Sequence, residues 1–472
     1  MINKLFKVKF LEEEPKYITI SNHIKSLIED KKIDDGEKLP TIRELSTYLG
    51  VNNVTVVSAY KKLADEGFAI QKMGSGTYAK RKEIAFSFNK TYSNIVRKMD
   101  IMNHEEIIDF SGETVKENIF PIEHIKEVIT EVLDRDGAKA LISQNPLGYD
   151  KLRSAINKVM WEGKLKTEDI LIISGAQQGI DIASKTILNI NDNVIVEKPT
   201  YGGALSVFKW RRANIFEVDM EEDGVDIEAF EKIVKKNKIR IFYTMSCFQN
   251  PTGISCSREK KERIIELAKK YDFYIIEDDY LSELVYDKSL EYAPYKWLDK
   301  DDRVIYIKSF SKIFLPGIRI GYIIAPKVFK ESIRNSKFNT DIATSSLMQR
   351  VLEMYIQKGY WKENINLLNE EYKNRYNYMA ELLNTQFKDM ISYKEPGGGL
   401  SFYLHIENSK INSRKLFLEL SKKGVIIIPG VLFFSDIREG DKTFKISFAQ
   451  TDKKNIKKGL DIIREELEKW HI

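Results

Sequence analysis

Lys312 stands in the string Ser309-Phe310-Ser311-Lys312, with Arg319 seven residues further on in Gly317-Ile318-Arg319-Ile320-Gly321-Tyr322. A lysine amine kept from water can attack an aldehyde and persist as an imine. Hydroxyls and a guanidinium nearby, here Ser309, Ser311 and Arg319, can hold a phosphate. Upstream, Gly175-Ala176-Gln177-Gln178-Gly179 follows an apolar run and opens a helix, which turns backbone amides and a positive dipole toward an anion. The run FYIIE delivers Asp278, Asp279 and Tyr280 at its end. A carboxylate there would keep a pyridine nitrogen protonated, so that the ring withdraws electrons from an imine. Asn250, in Gln249-Asn250-Pro251-Thr252-Gly253, and a tyrosine can hydrogen-bond a phenolate oxygen on such a ring, and Tyr201 offers a flat face for stacking. Taken singly these strings are commonplace, since an Asp-Asp pair is usually solvated surface. Their combination and order point to one site for a phosphate-bearing pyridine aldehyde.

The elements that must position these groups alternate. ILIISG, NVIVE, RIFYTM, FYIIEDD and VIYIKSF read as short buried strands, and AQQGIDIASKTIL and KKERIIELAKKY read as helices. That alternation predicts a doubly wound α/β sheet, whose ligands sit at the carboxyl ends of the strands. The candidate residues fall at those ends.

The ordered set GYDKLR, SGAQQG, EKPTY, NPTG, EDDY, SFSK and GIRIGY resembles the fold type I aminotransferases over about 360 residues. The resemblance implies a pyridoxal 5′-phosphate cofactor, a large doubly wound sheet and a smaller C-terminal α+β subdomain. It makes Lys312 the Schiff-base residue, with Ala176, Gln177, Ser309, Ser311 and Arg319 about the phosphate. Tyr201 becomes the ring stack, and Asn250 and Tyr280 bond O3′. Counting back from Tyr280 favours Asp278 over Asp279 for the pyridine nitrogen. One departure concerns the ligand: where such enzymes carry an arginine for the substrate α-carboxylate, the strand TFKISFAQ has Lys445, which keeps the charge but loses the two-pronged fork. Gly202 and Gly203 after Tyr201 supply no second arginine.

Ahead of this region, Ile20, Ile24, Leu27 and Ile28 fall at helical spacing, in a helix expected to end at Asp34-Asp35-Gly36. Thr41 and Glu44 form a capping box for a second helix, Gly50 supplies a tight turn, and Asn52 caps a third whose buried stripe is Val56, Ala59, Tyr60 and Leu63. Gly67 closes it. Phe68-Ala69-Ile70 and Gly74-Ser75-Gly76-Thr77-Tyr78 then read as a hairpin. The string LPTIRELSTYLGVNNVTVVSAYKKLADEGFAIQKMGSGTYA resembles the winged helix of the GntR family of bacterial regulators. By that resemblance Thr41, Arg43 and the wing's Gly76 meet the DNA backbone, while Asn53, Thr55 and Ser58 on the recognition helix lie near base edges. Asn53 and Val57 stand where relatives often carry arginine, which implies weaker nonspecific binding.

Composition sets the remaining limits. Among 472 residues, 75 Lys and Arg against 70 Asp and Glu give a net charge of +5, too small to argue for nucleic acid by itself. Two cysteines, Cys247 and Cys256, make neither a disulfide framework nor a zinc site, and no metal is expected. Without a secretory leader or a long apolar run, the chain reads as cytoplasmic. The expected division is a winged helix over 12–80, a linker over 81–107 with a short helix near 95–102, and an aminotransferase-like domain over 108–472, its small subdomain from about 340. The whole resembles the MocR-type transcriptional regulators. That resemblance implies a homodimer on operator DNA whose signal is pyridoxal phosphate or an amino compound joined to it, and the missing ligand arginines imply little or no net transamination. The alternative is a working aminotransferase with an accessory winged helix.

Overall fold

A computed structural model describes every residue except 1–3, 9, 11–14, 30, 31, 35, 67, 73–75, 81–83, 102–106, 115–118, 144, 291 and 472. The chain divides into two compact units, Met1–Arg97 and Lys98–Ile472.

In the first unit, α1 (Lys16–Glu29) buries Ile20, Ile24, Leu27 and Ile28. It ends earlier than its pattern suggested: the amides of Lys32 and Ile33 both fold back onto the Leu27 carbonyl, and this tucks Ile33 into the core. The Thr41–Glu44 capping box opens α2 (Ile42–Leu49), Gly50 closes it at φ +62°, and Asn52 caps α3 (Asn53–Asp65) through the Val54 amide. Val56, Ala59, Tyr60 and Leu63 are fully buried, and the Tyr60 hydroxyl donates to the Pro40 carbonyl at 2.6 Å. β1 (Ala69–Lys72) and β2 (Gly76–Ala79) form an antiparallel hairpin. Its tip at 73–75, like Gly67, lies outside the described residues.

The segment read as a linker is largely α4 (Ile84–Ile101), a single 18-residue helix rather than a short one near 95–102. Ile84, Phe88, Tyr92, Ile95 and Met99 recur at helical intervals, a signal concealed by the strand-like alternation of Phe86 and Phe88.

The second unit begins with β3 (Ile108–Asp109) and the helices α5 (Ile122–Asp136), α6 (Lys139–Ile142) and α7 (Asp150–Met160). Its main sheet has eight strands: β4 (Ile170–Ile173), β5 (Asn193–Lys198), β6 (Asn214–Glu221), β7 (Gly224–Val225), β8 (Ile239–Thr244), β9 (Tyr274–Asp279), β10 (Val304–Ser309) and β11 (Gly321–Ile324). Their order is β4-β11-β10-β9-β8-β5-β6-β7. The central run β10-β9-β8-β5-β6 is parallel, and β11 is antiparallel to both its neighbours. Parallel strands need crossovers, and α8 (Ala176–Ile187), α9 (Gly202–Trp210), α10 (Ile227–Lys236), α11 (Arg258–Tyr271) and α12 (Tyr295–Leu298) lie between them in sequence. Ile195, Phe230, Phe242, Ile264 and Ile275 share one core cluster with the sheet, so the strands read as continuous apolar runs.

After α13 (Lys330–Thr340), α14 (Ser346–Gln357) and α15 (Tyr360–Gln386), a smaller antiparallel sheet takes the order β12-β13-β16-β15, from β12 (Ile391–Tyr393), β13 (Ser401–Ile406), β15 (Ile428–Pro429) and β16 (Thr443–Ser447). With α16 (Ser413–Lys422) and α17 (Lys453–Glu468) it makes the expected α+β subdomain. β14 (Val425–Ile426) pairs in parallel with β3, from the start of the unit. The Phe110 amide then donates to Ile426, and the Ser447 amide donates to Phe110. A segment more than 300 residues distant in sequence is thereby laid against β16.

Candidate functional site

Three strand ends converge. After β4, Gly175 at φ +97° caps α8 without a side-chain bond. Arg319, itself left-handed at φ +48°, donates through Nη1 to Ser311 Oγ and through Nη2 to the Ser174 carbonyl, both at 3.2 Å. A Cβ on Gly175 would lie 2.7 Å from that Nη2, so the cradle needs glycine there. Ser309 Oγ accepts from the Ser311 amide at 3.3 Å. Beside α8, the Tyr201 hydroxyl donates to Gln177 Oε1 at 3.2 Å, and burial pushes its phenol up to about 12, which leaves a neutral ring.

The two adjacent aspartates differ sharply. Asp279 accepts from Tyr306 at 2.6 Å, Ser282 Oγ at 2.8 Å and Lys308 at 3.0 Å, and also from Tyr292. Burial resists its ionisation, but Lys308 and these donors hold it below the ordinary carboxylate range. Asp278 receives one bond, from the Tyr243 hydroxyl to Oδ2 at 2.8 Å, and its Oδ1 is buried with no partner. Burial pushes the Asp278 carboxyl up to about 7 against the Tyr243 bond. A buried acceptor in that state is stabilised by a donor supplied from outside the chain.

Lys312 follows β10 in a turn. Its side chain is 32% exposed, and its Nζ lies 3.8 Å from Glu113 Oε2. The other oxygen, Glu113 Oε1, forms a close ion pair with Lys445, whose side chain is 1% exposed and which also donates to Asn250 Oδ1 at 2.9 Å. Burial opposes charge on Glu113, yet Lys445 and then Lys312 hold its carboxyl below the ordinary range. The Asn250 carbonyl being engaged, its amide NH2 is the donor left for a ligand. Tyr280 directs its hydroxyl to the Phe248 carbonyl at 3.1 Å.

In the first unit Arg43 is exposed, whereas Thr55 and Ser58 are half-buried. Thr41 Oγ1 both accepts from the Glu44 amide and donates to its carboxylate, so its hydroxyl is already engaged. Asn53 is exposed, but its Oδ1 accepts from Ser46 Oγ at 2.5 Å. Gly76 sits at φ +116° at the start of β2. The apolar side chain most open on α3 is Val54, 68% exposed.

Residues 112–463 match the family model described as aminotransferase class I and II. The chain belongs to that family. Residues 16–79 of this aminotransferase-family chain match bacterial regulatory proteins of the gntR family. It is similar to an aromatic-amino-acid aminotransferase of Thermococcus litoralis, 30% identical over 80% of this chain and 93% of that one. Its likeness to the uncharacterized HTH-type transcriptional regulator YdfD of Bacillus subtilis, at 28% identity, covers 96% of each chain and so includes both units. Among solved structures, kynurenine aminotransferase of Pyrococcus horikoshii matches with a TM-score of 0.75 and 30% identity, over 80% of this chain and 94% of that one.

The aminotransferase class I and II family takes pyridoxal 5′-phosphate as its cofactor, and this domain is a pyridoxal-phosphate domain. Two features of the chain fit the group. The orphaned Asp278 Oδ1 suits a ring N–H, and the Gly175–Arg319 cradle at the start of α8 suits a phosphate. Of the residues singled out from sequence, Ser311 and Arg319 bond each other, Tyr201 bonds Gln177, and Asn250 bonds Lys445. Glu113, which joins Lys312 to Lys445, was not anticipated. Among the described residues no helix is long and apolar enough to cross a membrane.

Proposed function

We propose that this chain is a transcriptional regulator that binds operator DNA through its winged helix and uses its pyridoxal-phosphate domain as the sensor. The observation that carries this reading is the presence, in one chain, of an α3 whose Asn53 and Val54 are exposed and a cofactor site in which Asp278 Oδ1 and Lys312 are not engaged by hydrogen bonds of the chain itself. A full-length likeness to a protein named as a regulator supports it.

Bound pyridoxal phosphate supplies an aldehyde that condenses with primary amines and a pyridine ring that withdraws electrons. Lys312 is the residue that would hold the aldehyde carbon. Asp278 would accept from the ring nitrogen, which exchanges a buried, orphaned oxygen for a charge-assisted bond. Arg319, Ser309, Ser311 and the first amides of α8, at Ala176 and Gln177, would hold the phosphate, with Tyr201 against the ring face. The Asn250 amide would donate to O3′, and Tyr280, by rotating its hydroxyl away from Phe248, would join it. Lys445 would lie on the effector side. On DNA, Arg43 and Gly76 would meet phosphates and Thr55 and Ser58 would approach base edges. Asn53 would do so only after releasing Ser46, and Thr41 would help only through its capped helix end. The reading makes the effector pyridoxal phosphate itself or an amino compound, the assembly a homodimer and the location the cytoplasm.

The test is operator binding by purified protein, with DNA selected from random sequence, measured with and without pyridoxal phosphate for wild type and Lys312→Ala. The expected result is a visible cofactor band and cofactor-dependent DNA affinity in wild type, both absent in the variant. Steady transamination of an amino acid and a keto acid, with DNA binding indifferent to the cofactor, would establish the enzyme reading instead.

A further inference from the structure

Position 445 is where the fold type I resemblance expects an arginine for a substrate α-carboxylate, and the chain has neutralised the cation there. Glu113 Oε1 is paired with Lys445, and the ammonium is further engaged by Asn250 at 2.9 Å in a side chain only 1% exposed. An arriving carboxylate would therefore meet a cation already engaged by Glu113 and Asn250. A carboxylate could reach Lys445 only by displacing Glu113 or by sharing the ammonium with it, which would leave one of the two acids underpaired in a buried site.

Glu113 is also fixed in place. Backbone bonds tie Phe110 to Ile426 and to Ser447, and Asp109 Oδ1 accepts from the Ser111 amide at 2.7 Å and its hydroxyl at 2.6 Å. Gly112 is so close to Gln450 that a Cβ would lie 2.3 Å from its Oε1, and the same Gln450 donates to Thr114. The backbone is thereby tethered on both sides of Glu113, whose carboxylate is held by its ion pair with Lys445. Its second oxygen faces Lys312 at 3.8 Å, outside hydrogen-bond range, toward the position that an amine beside the cofactor would take.

We propose that Glu113 is a specificity-determining residue that makes the site accept primary amines lacking an α-carboxylate, with a second cationic group of the ligand drawn to Glu113, and reject α-amino acids. This rests on the reading of the second unit as an amine-responsive cofactor domain. It assigns the effector to diamines and related cationic amines.

The deciding experiment titrates the cofactor-loaded full chain with cadaverine and with L-lysine, which differ only by the α-carboxylate, and follows the visible cofactor band together with binding heat. Wild type should reach half-saturation with cadaverine at a concentration at least about tenfold below that for L-lysine. E113Q frees Lys445 and should abolish or reverse the preference. Should a lone buried Lys445 prevent that variant from folding, the neutral double variant E113Q/K445Q, judged folded by its cofactor band, should bind the two compounds within about threefold of each other. Equal or tighter L-lysine binding by wild type, or a preference unchanged in the variants, overturns the assignment to Glu113 and leaves the amine-effector reading standing. A cofactor-loaded protein whose spectrum responds to neither compound in any variant overturns both.

Discussion

Two lysines four residues apart enter buried carboxylate clusters with opposite stoichiometry. Lys308, 2% exposed, faces two acids, Asp279 at 3.0 Å and Glu283 at 2.7 Å, and donates to Ser282 as well. Burial disfavours its charge, but the two acids hold the ammonium above its ordinary range. Every member of that cluster has partners within the chain. Around Glu113 the ratio is inverted: one acid faces two lysines, and Lys312, a third exposed, has only a 3.8 Å approach to it. A saturated cluster holds strands together, whereas an unsaturated one keeps chemistry available. The same contrast separates Asp279 from Asp278.

The largest effect should come from removing the saturated lysine. Lys308→Met leaves Asp279 and Glu283 buried without their cation, and chemical denaturation should show a loss of about 3–5 kcal/mol. Lys312→Ala removes a partly exposed amine and should cost less than about 1 kcal/mol while eliminating the visible cofactor band. Similar losses for the two variants would break the comparison.

Asp278 gives an intermediate effect that depends on pH. Burial disfavours the anion and pushes its carboxyl up to about 7 in the folded, cofactor-free chain. In the unfolded chain it titrates near its ordinary value of about 4, so between these values the folded state binds the additional proton. The sign follows: Asp278 contributes most at acid pH, and its contribution declines as pH rises from about 4 to about 7 by an amount on the order of a few kcal/mol. Glu197 and Glu277, also pushed up to about 7 by burial, decline over the same window. Cofactor-free Asp278→Asn should therefore show a shallower fall than wild type, and adding pyridoxal phosphate to wild type should recover stability at neutral pH. Parallel stability curves would place the unsatisfied acceptor elsewhere.

The contrast also explains what could be read from sequence. Lys312, Arg319, Asp278 and the Gly175 turn lie in short strings whose geometry is local, at the ends of apolar runs that could only be buried strands. Only the count back from Tyr280 separates Asp278 from Asp279 in the sequence, because the difference in their surroundings is set by Tyr243, Tyr292 and Tyr306, from other strands and a loop. Glu113 was invisible for a stronger reason. Its segment has no periodicity, and its position follows from β3 pairing with β14 and Phe110 bonding Ser447, contacts that close more than 300 residues of chain. In the winged helix, by contrast, the cap, turn and buried stripe of α2 and α3 are all short-range, and they stand where the spacing put them.

The smallest effects test the contrast in the first unit, between the engaged Thr41 and the exposed Arg43. Thr41→Ala removes the hydroxyl that accepts from the Glu44 amide and should lower the unit's stability by about 1 kcal/mol. Arg43→Ala removes no bond within the chain that the geometry requires, so thermal unfolding should be nearly unchanged. Its effect belongs on DNA, as a uniform loss of affinity across sequences and a salt slope shallower by about 1. If Thr41→Ala weakened DNA binding without touching stability, the hydroxyl would have to exchange its cap for a phosphate on the operator, and an engaged group would then be part of the interface.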